Sequence, residues 1–173
     1  MNRHLVAMAM LLVSIIGLGQ SIKDLDFLIG TWQIEETVLP SRENEYQETG
    51  TRTCSYYLND AFIKCESTTT NSRNERERKY VYFINYDKKL DCFWATTLAS
   101  DFPKHGLHQW FLDEENQQII AITPENVNKD RFFRGAIYYG NKDQLIWDGW
   151  SSKFTSPDKE WQQIFHDVAT KKE

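Results

Sequence analysis

Ten runs of five to ten residues, rich in β-branched and aromatic side chains and ended by turn-forming clusters, follow one another from Thr31 almost to the C-terminus. They fall at roughly 31–39, 49–57, 61–70, 78–86, 90–98, 107–112, 118–123, 131–139, 144–151 and 160–168. The connections between them, such as YDKKLD, LDEENQQ, YYGNKDQ and TSPDKE, are too short for a crossover helix, so neighbouring runs can pair only antiparallel. An open meander of this length exposes two edges, and closing it removes both. The pattern predicts an all-β chain, an antiparallel up-and-down β-barrel of about ten strands. Before the first run, SIKDLDFLIG spaces Ile22, Leu25, Leu28 and Ile29 as a helix would and ends on Gly30, which predicts a short N-terminal plug helix. The longest irregular stretches, PSRENEYQE from Pro40 and ASDFPKHG from Ala99, read as loops at the barrel ends.

The first nineteen residues stand apart. MNRHLVAMAMLLVSIIGLG begins with a positive charge at Arg3, runs apolar from Leu5 to Leu18 and carries small residues at Gly17 and Gly19, the layout of a signal peptide cut before Gln20. The apolar run is short for a membrane span, so residues 1–19 read as a removable leader and 20–173 as one domain, exported to a periplasmic or extracellular compartment without stable membrane insertion. Lys and Arg number 20 against 25 Asp and Glu, and losing Arg3 makes the balance more acidic still. With no basic stripe, nucleic acid is excluded as a partner class.

An oxidising destination gives the three cysteines meaning. TRTCSYYLNDAFIKCEST reads as two strands folded about Asn59-Asp60, which sets Cys54 directly opposite Cys65. Direct opposition at a non-hydrogen-bonded pair brings the β-carbons within disulfide reach and favours a four-residue loop, Leu58 to Ala61. Cys92 is left over in an apolar strand, with no basic neighbour in sequence to activate it, and reads as a buried thiol.

The helical turn followed by Gly30-Thr31-Trp32 on the first strand resembles the calycin barrels, the group of lipocalins, fatty-acid-binding proteins and nitrobindins. YYLNDAFIKCES, INYDKKLDCFWATT and SPDKEWQQIFHDVATKK, in that order, resemble segments of exported bacterial lipocalin-like proteins, so the likeness runs in outline from 22 to 171. The resemblance implies that Gly30 and Trp32 close one end of the barrel. It carries no family-wide ligand, because one fold serves many functions.

No nucleophile elbow, phosphate loop or paired metal motif occurs after the leader, so the expectation is a binding protein and not an enzyme, with no metal and no obligatory cofactor. His105 and His108 lie three apart without a third ligand nearby and read as ordinary histidines. The barrel interior is the expected site. On the Cys54 hairpin, the face carrying Arg52, Cys54, Tyr56, Ile63, Cys65 and Ser67 is the better inward one. An inward Arg52 meets either the head group of a fatty-acid-like ligand, as the resemblance to fatty-acid-binding proteins implies, or a salt bridge to Glu36 or solvent near the rim. Arg52, Tyr56, Trp94 and His166 make up the expected ligand-binding set for a small, largely apolar molecule in a monomer or weak homodimer. Alternation places Ile164, His166 and Val168 on one face of the last strand and Trp161, Gln163 and Phe165 on the other. The nitrobindin resemblance implies an alternative, haem bound through His166. A further alternative is a barrel filled by its own side chains that acts as a protein-interaction module.

Overall fold

Strand-forming runs succeed one another along the chain, and in the computed structural model they close into one barrel in which each strand pairs with its neighbours in sequence and the last with the first. The structure describes residues 20–100, 102–124, 131–153 and 160–173. The strands are β1 (Gly30–Val38), β2 (Tyr46–Tyr57), β3 (Phe62–Asn71), β4 (Glu77–Asp87), β5 (Cys92–Ala99), β6 (Phe102–Asp113), β7 (Gln118–Ile122), β8 (Arg131–Asn141), β9 (Gln144–Lys153) and β10 (Gln162–Lys171). All ten expected strands are present, every pair is antiparallel, and β1 bonds β10. The signal-peptide expectation for 1–19 lies outside the described residues.

Two expected loops are strand instead. β2 starts at Tyr46, inside the stretch read as irregular, because its early inward residue is the buried Glu48 and a polar inward side chain hides the apolar alternation. β6 starts at Phe102, although Pro103 and Gly106 mark a turn in sequence. β7 pairs only with Gln109–Asp113 of β6, so among the described residues the earlier part of β6 is hydrogen-bonded on the β5 side alone. A proline is tolerated on such an edge because no ladder bond is lost.

One end of the barrel is plugged. Ile22–Leu28 forms a 3-10 helix and not an α-helix, capped by reciprocal bonds in which Lys23 N donates to Ser21 Oγ and Ser21 N donates to Asp24 Oδ2. Leu25 and Leu28 are buried in the barrel end, and the Phe27 ring stacks on Tyr139 at 4.1 Å. Gly30 begins β1 at φ +130, a conformation other residues avoid, and turns the chain from plug into wall. Trp32 is fully buried and donates its indole N–H to the Leu28 carbonyl at 2.9 Å. It ties the plug to the floor, which is the closing position that the resemblance implies for it.

Cys54 and Cys65 stand directly opposite with Cα atoms 4.0 Å apart and are disulfide-bonded, around a four-residue turn Leu58–Ala61. Both sulfurs face the core beside Trp32, Ile63 and Ile84. Cys92 is buried, and burial pushes its thiol pKa up, the opposite of what a nucleophile needs.

Candidate functional site

The barrel interior divides into two halves. In the plugged half the inward side chains Trp32, Ile34, Ile63, Phe93, Ala95, Ile119 and Ala121 are wholly buried. Towards the other end, the mouth, the inward side chains Glu36, Tyr80, Tyr82, His108, Phe133 and Phe165 keep surface that solvent reaches. An inward side chain can stay accessible only where the interior opens to solvent, so the mouth half is the open end of the barrel.

One side of this open interior is charged. Glu36 on β1 stands opposite Glu48 on β2 and opposite Asp167 on β10, so three carboxyls sit side by side across three strands. Two of them have arginines. Arg52 approaches Asp167 Oδ2 at 2.5 Å and donates from Nε to Ser67 Oγ at 3.1 Å; the Arg52 and Asp167 side chains are 10% and 2% exposed. Arg78 lies 3.6 Å from Glu48, which also accepts from Thr69 Oγ at 2.5 Å. Burial works against the Arg52 charge, but the Asp167 carboxylate outweighs it and holds the guanidinium pKa above its ordinary value. Among the described residues, Glu36 has no ion pair. Burial, followed by the charges of Asp167 and Glu48, pushes its pKa up to about 8, with Arg78 and Arg52 pulling weakly the other way. Burial likewise raises the Tyr82 hydroxyl to about 12 and the Tyr80 hydroxyl further, so both are neutral hydrogen-bonding groups.

The other side is aromatic. Trp147 packs at 5.5 Å against Tyr82, at 5.8 Å edge-on against Trp110 and at 5.5 Å edge-on against Phe165. Phe165 stacks with Phe133 at 6.2 Å, and Phe133 with His108 at 4.6 Å. Two glycines make room for these rings. A Cβ on Gly149 would come within 2.3 Å of the Phe165 ring, and one on Gly135 within 3.0 Å of Trp147 Nε1. The Arg52 guanidinium lies 5.6 Å from the Trp147 ring and 5.8 Å from Tyr82, joining the charged and aromatic sides.

Below the Arg52–Asp167 pair lies an enclosed pocket of about 20 Å³ that reaches down to Leu28 and is lined by Arg52, Tyr82, Trp110, Trp147 and Asp167 among others. It has room for one water-sized group. Three buried polar atoms of its lining have no partner: the indole N–H groups of Trp110 and Trp147, and Asp167 Oδ1. Two donors and one acceptor left unpaired at the same floor form a subsite for a small group that both accepts and donates.

Of the expected binding residues, only Arg52 faces the open interior, and its ion-pair partner is Asp167, not Glu36. Tyr56 belongs to the plugged end, where its hydroxyl donates to Asp26 and Lys23 lies over its ring. Trp94 is on the outer wall, between inward Phe93 and Ala95, and donates to Asp87 at 3.3 Å. His166 is also outside. Its side chain is 41% exposed and its Nδ1 lies 2.8 Å from Asp148 Oδ1, while the residues either side of it, Phe165 and Asp167, point inward. Ile164 interrupts the β9–β10 register, so Gln163 does not share the inward face with Phe165; it donates to Asp148 beside His166. These positions do not fit an interior haem ligated by His166. His108 is the inward histidine, and burial lowers its pKa to about 4, which keeps it neutral. Among the described residues, no group of three or more His, Cys, Asp or Glu is placed to hold a metal ion.

No protein-family model matches the sequence. No curated protein matches it either. Solved structures share the fold. The S-type phycobiliprotein lyase CPES from Guillardia theta superposes with a TM-score of 0.60 at 10% identity, over 89% of this chain and 94% of that one. Rv2717c from M. tuberculosis superposes with a TM-score of 0.61 at 8% identity, over 88% and 97%. The chain is thus a ten-stranded barrel of calycin-like fold.

Proposed function

We propose that this protein binds one small molecule in the mouth half of the barrel, as a carrier or receptor and not as a catalyst, in an exported compartment. One observation carries the reading: inward side chains of the mouth half, polar Glu36, Tyr80, Tyr82 and His108 among them, stay partly accessible, although those of the plugged half are wholly buried. A barrel filled for stability alone gains nothing by placing Glu36 inward beside the buried Glu48 and Asp167 without a counter-ion, since a buried charge costs free energy until it is paired. The ligand is a flat molecule with polar edges. Its body lies along Tyr82, Trp147, Phe165 and Phe133, and a fatty acid is a poor candidate because its carboxylate would meet three carboxyls and an arginine that Asp167 already occupies. The leader-like segment and the Cys54–Cys65 disulfide support export.

Titrating the protein with planar aromatic compounds while recording tryptophan fluorescence tests the site, because Trp147 and Trp110 border it. Saturable quenching by at least one compound, lost when Gly149→Leu fills the lumen wall, is the expected result. Quenching that survives Gly149→Leu, or none across anionic, neutral and cationic compounds, refutes the reading. N-terminal sequencing of the protein from its native host tests export, with Gln20 as the expected first residue.

A further inference from the structure

Among the described residues, the inner wall of the mouth half holds three carboxyls in a row, Glu48, Glu36 and Asp167, with Arg78 and Arg52 paired to the outer two. Glu48 is taken by Arg78 and Thr69, and Asp167 by Arg52, whereas Glu36 between them has neither ion pair nor side-chain hydrogen bond among the described residues. At the floor beneath, the small pocket lined by Asp167 holds three buried polar atoms without a partner, the acceptor Asp167 Oδ1 and the donor indole N–H groups of Trp110 and Trp147. Among the described residues, the charged wall is therefore one positive charge short of its carboxyls.

We infer that the ligand is a small organic cation, an aromatic amidinium or ammonium, whose charged end docks on Glu36 between Glu48 and Asp167 while its ring lies against Tyr82, Trp147 and Phe165. The inference rests on the proposed binding site. An amidinium offers two parallel N–H donors to a carboxylate, and the aromatic wall favours a cation over an anion. Around Glu36 stand Glu48 and Tyr46 from β2 and Asp167 from β10, then Arg52 from β2 and Arg78, Tyr80 and Tyr82 from β4. In the empty lumen this surplus of acid is relieved by a proton on Glu36 at neutral pH. A cation replaces that proton: the Glu36 carboxyl loses H⁺ to solvent and the carboxylate pairs with the ligand. Binding therefore releases close to one proton at pH 7, and affinity falls about tenfold per pH unit as acid is added below that point.

Calorimetric titration of the full chain with benzamidinium and with its neutral relative benzamide, in phosphate and in Tris at pH 7, reads both affinity and proton release. Benzamidinium is expected to bind roughly tenfold or more tightly than benzamide and to release close to one proton. Glu36→Gln, which resembles the protonated acid and keeps the fold, is expected to bind the two alike and release none. Equal affinity of the wild type for both probes, binding without proton release, or an unchanged preference in Glu36→Gln each overturns the cation and leaves the aromatic site standing. If neither probe binds and no planar compound quenches the tryptophans, the site itself is refuted.

Discussion

Replacing Glu36 by Gln is expected to make the protein more stable, and increasingly so as the pH rises. In the unfolded chain Glu36 ionises near its ordinary value of 4.5, and in the barrel at about 8. Between those values the folded state keeps a proton that the unfolded state has released, so each step up in pH favours unfolding until Glu36 ionises in both states. At 1.36 kcal/mol per pKa unit, the penalty grows by roughly 3 kcal/mol between pH 5 and pH 8. Gln carries no titrating proton and escapes it. Urea unfolding of wild type and Glu36→Gln at pH 5, 6, 7 and 8 reads the difference directly, and comparing the two chains cancels every other titrating group that Glu36 does not touch. The gap should be small at pH 5 and open steadily in favour of the variant towards pH 8. A gap that stays flat, or one that closes as the pH rises, would show that Glu36 does not sit in the crowded acid row described above.

Asp167→Asn leaves the Arg52 charge buried without its counter-ion and should cost roughly 3–5 kcal/mol in urea unfolding, most of it regained in the apolar pair Arg52→Met with Asp167→Leu; a loss below about 1 kcal/mol would refute the pairing. Thiol titration of the unfolded, unreduced protein should find one reactive group, Cys92, and reduction of Cys54–Cys65 should lower stability by about 3 kcal/mol or less, given the short loop it closes. Three thiols would contradict the disulfide. Trp32→Ala should cost roughly 3–5 kcal/mol by opening the barrel floor, and Trp32→Phe less, since it loses mainly the bond to the Leu28 carbonyl. His166→Ala, on the outer wall, should change stability by no more than about 1 kcal/mol and leave ligand binding unaltered, which a fluorescence titration checks.

The plugged half of the barrel was legible in the sequence because ordinary rules govern it. Trp32, Ile34, Ile63 and Ile84 alternate with polar residues, turns separate the runs, and the Cys54–Cys65 register follows from counting about one hairpin. The mouth half obeys the same period of two, but with charged and aromatic residues inward, and apolar alternation does not reveal it. Glu48 therefore read as loop, and Glu36 appeared only as a partner for Arg52. Asp167 was overlooked beside His166, although it shares its face with Ala169, which on a half-apolar strand is a signal that an acid faces the core. Its pairing with Arg52, 115 residues away, follows only from closure, since β2 and β10 become near neighbours once both flank β1. The outward turn of Gln163 depends on the irregularity at Ile164, and a local bulge of this kind has no mark in the sequence.

Native mass spectrometry of the protein purified from its own host without denaturation tests the central claim, a small-molecule site in the mouth of the barrel. The account predicts a polypeptide carrying one small-molecule mass increment, retained under gentle conditions and lost on unfolding. A bare polypeptide mass that stays bare after incubation with benzamidinium and with neutral and anionic planar aromatics would contradict it.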